Sequence, residues 1–242
     1  WVADQAWPSY FLHQILIRSF ARAFRVDMSE CPQSLHDFRT FNEFFARPLR
    51  PDARTIASKA DALISPVDGT IGAFGDINDQ TLLQAKGKTY TLTDLLQDAR
   101  AAQRYVGGKF LTIYLAPYNY HRIHSMVTGE VTHFAYIPGE LWTVSPLGLL
   151  YVPKLFARNE RWISYLRYRD NAECALVKVG ATVVGRIRVN YHDRISNLPN
   201  ATPLHASLPV PHAVDKGAEL GRFELGSTVV LLFERDHVEW DG

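Results

Sequence analysis

Cysteine is nearly absent from this 242-residue chain, which carries only Cys31 and Cys174. A disulfide framework is thereby excluded, a reducing compartment is expected, and no Cys-x-x-Cys pair suggests structural zinc. Long hydrophobic runs are also missing. The most apolar stretches, such as Val229–Phe233, fall far short of the roughly 18 residues that read as a membrane-spanning helix. Neither sign of charge is in excess: 26 Lys and Arg against 25 Asp and Glu leave a formal charge of +1. So even a balance supplies no long-range field that would argue for a nucleic-acid partner. The chain opens on Trp1 and shows no basic region ahead of an apolar run, the pattern of a secretory signal, so an upstream segment of a longer parent chain is expected. No internal repeat, linker or low-complexity tract is visible.

What is present is enough apolar material, 47% of residues with 12% aromatic, to bury a sizeable core. Residues 10 to 25 place Leu12, Leu16, Phe20, Ala23 and Phe24 on one side of a helical wheel, with Arg18, Arg22 and Arg25 on the other. Such a basic amphipathic helix suits a lipid interface or the surface of its own core. A second helical segment, Phe38 to Arg47, is stopped by Pro48. From Ala62 onward the texture turns to short β-rich runs: Ala62–Ile64, Thr70–Phe74, Lys109–Leu115, Glu130–Tyr136, Trp162–Tyr168, Ala175–Val179, Thr182–Val189 and Thr228–Phe233. One helix interrupts them, capped by Thr91 with Asp94 three residues on, and running from Leu92 to about Arg104. The proline-rich stretch Tyr191 to Pro211 reads as a long irregular loop. These features predict an α+β fold with N-terminal amphipathic helices followed by a mostly antiparallel, sandwich- or barrel-like β core. The division expected is residues 1–60 as a helical, membrane-associating region and 61–242 as a β-rich catalytic domain.

Four local features could carry chemistry. Leu225-Gly226-Ser227-Thr228 opens an apolar strand, and Gly226 lets the backbone bend so that the Ser227 hydroxyl can reach the carbonyl before it. Pro117-Tyr118-Asn119-Tyr120-His121-Arg122-Ile123-His124 follows a predicted strand, where a rigid element can aim a base into a cleft. Two histidines three apart could also hold a metal, but no third ligand stands nearby, so none is expected. Ser65-Pro66-Val67-Asp68-Gly69 sets a carboxylate in a tight turn. Asp68, His124 and Ser227 thus supply an orienting carboxylate, a base and a hydroxyl, a set recognised by roles rather than order. The loop Tyr136 to Leu150, with Trp142, Leu147, Leu149 and Leu150, is apolar enough either to tuck under the fold or to meet lipid. From the residues alone three readings stay open. They are self-processing chemistry at Ser227, a Ser/His/Asp hydrolase acting on an external ester, and a non-enzymatic lipid-binding module.

The ordered series Phe41-Asn42-Glu43-Phe44-Phe45 with Arg47, Pro66-Val67-Asp68-Gly69, Gln84-Ala85-Lys86-Gly87, Tyr120-His121-Arg122-Ile123-His124, Pro138-Gly139, Leu155 to Arg161, Gly180 to Gly185 and Leu225-Gly226-Ser227-Thr228 resembles the bacterial, membrane-associated phosphatidylserine decarboxylases. The resemblance implies a proenzyme that cuts itself between Gly226 and Ser227 into a large β chain and a small α chain. His124, oriented by Asp68, would take the Ser227 proton. It implies a covalent pyruvoyl cofactor made from Ser227, which condenses with the headgroup amine of phosphatidylserine and accepts the electron pair as carbon dioxide leaves. It nominates His121 as the proton donor that completes phosphatidylethanolamine. It further implies an anionic membrane surface as partner, a homodimer, and a peripheral location on the cytoplasmic face of the cell membrane. Arg18, Arg22, Arg25 and Trp142 become the expected lipid contacts.

Overall fold

The computed structural model describes residues 10–85, 87–182, 186–224 and 227–240. The N-terminal part holds α1 (Tyr10–Ala23) and α2 (Phe41–Phe45). There follow β1 (Thr70–Asp76), β2 (Thr81–Ala85), β3 (Lys88–Thr91), α3 (Leu92–Leu96), α4 (Ala99–Arg104), β4 (Lys109–Leu115), β5 (Arg122–His124) and β6 (Gly129–Ile137). The remainder comprises α5 (Pro146–Tyr151), α6 (Leu155–Arg158), β7 (Arg161–Arg167), β8 (Glu173–Val179), β9 (Arg186–Val189), β10 (Leu204–Val214), β11 (Glu219–Glu224) and β12 (Ser227–Phe233).

Every strand pair is antiparallel, as the short-strand texture predicts. The main sheet has seven strands in the order β1-β4-β12-β8-β7-β6-β10; a second has the order β5-β11-β9, and β2 pairs with β3. The main sheet keeps two open edges, β1 and β10, so the fold is α+β around an open antiparallel sheet and not a closed barrel. Its central strands β12 and β8 are buried at every position, which is why they read as unbroken apolar runs. Alternation still sorts the two faces. Val230 and Leu232 join one core with Leu92, Leu95, Tyr105 and Phe156 of the covering helices. Val229, Leu231 and Phe233 join the other, against Ile123, Ile187, Leu220 and Phe223 of the three-stranded sheet.

Local chemistry explains where the elements differ from the sequence pattern. The helix expected from Leu92 to Arg104 is two helices, because Gln97 adopts a left-handed conformation at φ 49° and Asp98 recaps, its carboxylate accepting from Arg100 N and Ala101 N. The Thr91/Asp94 capping box forms as expected, and Thr40 with Glu43 makes another at α2. Residues 62–64 join no strand; Ile64 N donates to Met126 O across 3.3 Å. The stretch Tyr191 to Pro211 is irregular only in its first half, since β10 begins at Leu204. Its Pro209 and Pro211 are tolerated because β10 is an edge strand whose register with β6 breaks between Ser207 and His212.

The N-terminal part has its own cluster of Ile17, Ala21, Cys31, Phe38 and Phe44. Packing here decides the orientation that the wheel leaves open. In α1 the inward residues are His13, Gln14, Ile17 and Ala21, whereas Phe11, Leu12, Ile15, Leu16 and Phe24 stay exposed. No helix among the described residues is long and apolar enough to cross a membrane.

Candidate active site

Two chain crossings place the site. After β4 ends at Leu115 the chain leaves the main sheet and becomes β5 of the small sheet; after β11 ends in the small sheet it becomes β12 of the main one. The partners match: β12 lies on β4 with Ser227 opposite Leu115, and β11 lies on β5 with Arg222 opposite Arg122. The end of β11 and the start of β12 thus lie beside β5 and the end of β4, and Phe223 N donates to His121 O across 2.9 Å. Ser227 and His121 are brought to one junction between the sheets although 106 residues separate them in sequence. The expected cleavage partner Gly226 lies outside the described residues, as does Leu225.

Ser227 is fully buried, and its Oγ has no hydrogen-bond partner among the described residues. A buried hydroxyl left unpaired costs roughly 1–3 kcal/mol, and no competing bond among the described residues holds Ser227 Oγ back from reaction. His121 is equally buried. Its Nδ1 lies 2.8 Å from Asn119 O, which can only accept, so Nδ1 carries the proton and the unpartnered Nε2 presents a lone pair. Burial pushes its pKa down to about 3; the Asn119 contact opposes this shift and the Arg47 charge adds to it. The Phe45 ring lies on the imidazole, centroid to centroid 4.0 Å.

His124 is held differently from the expected triad. Its Nδ1 donates to Gly217 O at 2.7 Å, and its Nε2 accepts from the Tyr120 hydroxyl at 2.9 Å. Asp68 instead faces Arg54, which contacts it through Nε at 3.1 Å and Nη2 at 2.5 Å. The other side of Arg54 holds Glu30 of the N-terminal part at 2.6 and 2.8 Å. Asp68, His124, Tyr120, Arg54 and Gly217 nevertheless line one cavity of about 420 Å³. The base and carboxylate picked out in the sequence thus share a pocket, with a backbone carbonyl rather than Asp68 setting the imidazole.

Tyr120, Arg54, Gly217 and Arg47 are the site residues that the sequence reading passed over. Tyr120 and Arg47 stand inside motifs already noted. Arg54 and Gly217 had no local signal, because their partners lie 14 and 93 residues away. Among the expected lipid contacts, Arg18 bonds His36 through Nη2 at 2.6 Å, while Arg22 and Arg25 are exposed. Trp142 is 44% exposed, with its indole on Glu140 and the Arg158 guanidinium 5.6 Å over its ring, and Leu147 and Tyr151 are exposed as well.

Comparison with known proteins identifies the family. Residues 41–241 match the family model for phosphatidylserine decarboxylase. A phosphatidylserine decarboxylase proenzyme of Anaeromyxobacter sp. is 49% identical over 220 residues, covering 90% of this chain and 77% of the relative. Another from Brevibacillus brevis is 43% identical over 228 residues, covering 94% of this chain and 81% of the relative. A third, from Myxococcus xanthus, is 43% identical over 233 residues. On both the ordered motifs and the extent of these matches, the chain belongs to the phosphatidylserine decarboxylase family.

Proposed function

We propose that the protein decarboxylates phosphatidylserine to phosphatidylethanolamine after cutting its own chain between Gly226 and Ser227. The observation that carries this reading is the buried Ser227 hydroxyl, unpartnered among the described residues at the start of β12, in a chain whose relatives are named proenzymes. In the first reaction the Ser227 oxygen bonds to the Gly226 carbonyl carbon and the carbon–nitrogen bond breaks. The hydroxyl proton passes by way of His124 to the departing nitrogen, so that an amide becomes an ester, and loss of the residue 227 α-proton then expels the Gly226 carboxylate from Cβ and parts the chain. Gly217 O fixes His124 as the Nδ1–H tautomer, which leaves Nε2 as the base, and Tyr120 stands on that nitrogen as its proton-sharing neighbour. Asp68 adds negative charge to the same pocket from its place on Arg54.

The residues fit a pyruvoyl group made from residue 227, since that position is buried and carries an unengaged oxygen. When present, the group supplies an electron sink for the pair released with carbon dioxide. His121, with Nε2 open, is proposed to carry the proton released by the incoming headgroup ammonium to the carbon that has lost carbon dioxide, while burial, which lowers its pKa, works against holding that proton. It serves as base first and donor second. Residues 1–60 are proposed to lie against the anionic surface that presents the substrate, with the exposed Phe11, Leu12, Ile15 and Leu16 entering the interface. The location that follows is peripheral, on the cytoplasmic face of the cell membrane.

Intact mass under denaturing, reducing conditions, followed by hydroxylamine treatment, tests the reading. Two chains parting at Gly226 and Ser227, the smaller one reactive with hydroxylamine, together with carbon dioxide release from phosphatidylserine vesicles, are expected. A single unmodified chain that stays uncut on vesicles and releases no carbon dioxide would overturn it.

A further inference from the structure

Arg47 is a buried cation with no ion-pair partner among the described residues, its guanidinium 5.9 Å over the Phe44 ring. It is 3% exposed, and its Nε and Nη1 have no hydrogen-bond partner among the described residues. Nη2 alone is engaged, donating to Tyr118 O at 3.0 Å and Asn119 O at 3.5 Å. The carboxylates that act on it through space are occupied elsewhere. Asp27 accepts from Ser29 N, while Glu30 and Asp68 hold Arg54. Burial pulls the Arg47 pKa down, against those carboxylates.

Arg161 shows what a purely structural buried arginine looks like in this fold. It is fully buried, yet its Nε, Nη1 and Nη2 all donate, to the carbonyls of Leu95, Ala157, Asn159 and Asp94. Nothing is left for a ligand. A guanidinium buried with two nitrogens unpaired is costly by several kcal/mol, and a bound anion removes that cost.

The position of Arg47 says which anion. Asn119 O receives both Arg47 Nη2 and His121 Nδ1, and Phe45, two residues before Arg47, lies on the His121 ring. The guanidinium is therefore anchored to the loop that aims His121. The proposed substrate brings two anions, a carboxylate and a phosphodiester. A cation held on the carboxylate would stabilise the ground state of a reaction that destroys this charge, whereas the phosphodiester stays anionic throughout.

We infer that Arg47 binds the phosphodiester of the lipid headgroup through Nε and Nη1 and so fixes the serine moiety against His121, an assignment that rests on the decarboxylase reading. The test uses matured enzyme and compares binding of glycerophosphoserine with that of O-methylserine, which keeps the amine and carboxylate but lacks phosphate. Wild type should bind the phosphate-bearing analogue roughly 10- to 100-fold more tightly. Arg47→Gln should erase that preference while leaving O-methylserine binding unchanged, and Arg47→Lys should keep part of it. Equal affinity for the two analogues in wild type, or a preference that survives in Arg47→Gln, would overturn the assignment. An equal loss of both would also overturn it, reducing Arg47 to a prop for Asn119. Should Arg47→Gln fail to fold or mature, the wild-type preference and Arg47→Lys decide. Inorganic phosphate should displace glycerophosphoserine only at concentrations at least about tenfold higher than glycerophosphoserine itself needs. Equal potency would overturn the headgroup assignment in favour of a free-phosphate site. Absence of carbon dioxide release from wild type defeats the decarboxylase reading, whereas release without the phosphate preference defeats only the role of Arg47.

Discussion

Ser227, at the start of β12, and His121, whose carbonyl accepts from Phe223 N of β11, flank the sheet junction, both buried and each with one polar atom unengaged. They are proposed to act in different reactions, so their variants should separate. Ser227→Ala is expected to leave one unbroken chain on a denaturing gel and to release no carbon dioxide. His121→Ala should still be cut, with turnover lowered by roughly 100-fold or more; an uncut His121→Ala chain would refute the division of labour. The pH behaviour follows from the same burial. With its pKa near 3 in the fold against 6.5 in an exposed chain, His121 stays neutral across the physiological range. Between those two values the unfolded chain binds more protons than the folded one, so stability rises with pH through that window and falls as pH drops from 6.5 toward 3. Chemical denaturation of uncut Ser227→Ala at a series of pH values should show this slope, and adding His121→Ala should remove its share. Asp68 teaches a different point at this scale. Its turn motif identified it as a carboxylate of interest, yet Arg54, invisible in the local pattern, is what it touches.

At the level of elements, β8 carries the least expected group. Lys178 is fully buried in the face that packs on the small sheet, where its ammonium meets Ser164 Oγ and Tyr191 OH bonds that same oxygen. Burial drives its pKa from 10.5 to about 7. The unfolded chain therefore holds the extra proton between about 7 and 10.5, so stability climbs with pH across that interval and the cost is fully present below it. Lys178→Met should raise stability at pH 7 by about 1–4 kcal/mol and flatten that slope in denaturant titrations. Helix α1 is legible as a basic amphipathic helix, but its orientation is not. The wheel cannot tell which flank faces the protein, and packing on Phe38 and Phe44 selects Ile17 and Ala21, leaving Phe11, Leu12, Ile15 and Leu16 outward. Phe11→Ser with Ile15→Ser should weaken co-sedimentation with anionic vesicles without shifting the melting temperature. Unchanged co-sedimentation would remove α1 from the interface.

Across the whole molecule, the proposed cut falls at the entrance to a central strand. β12 pairs with β4 on one side and β8 on the other, and all seven of its residues are buried. Cutting before Ser227 therefore frees a chain end without freeing the strand. The small chain should co-elute with the large one on native gel filtration and separate only in denaturant; its loss under native conditions would contradict this topology. The sequence by itself determined the β-rich class, the Thr91/Asp94 capping box, the His121/His124 pair and the Ser227 motif, because each rests on neighbours within a few residues whose spacing or hydrogen bonding is local. Tertiary structure alone decided the rest. It joined β4 to β12 and β5 to β11, which draws Ser227 and His121 toward one junction, and it gave Asp68 to Arg54 and His124 to Gly217. It also left Arg47 buried with two unpaired nitrogens. These outcomes depend on which distant groups compete for one desolvated space. Burial makes each pairing strong and each omission costly, and no local pattern records that competition.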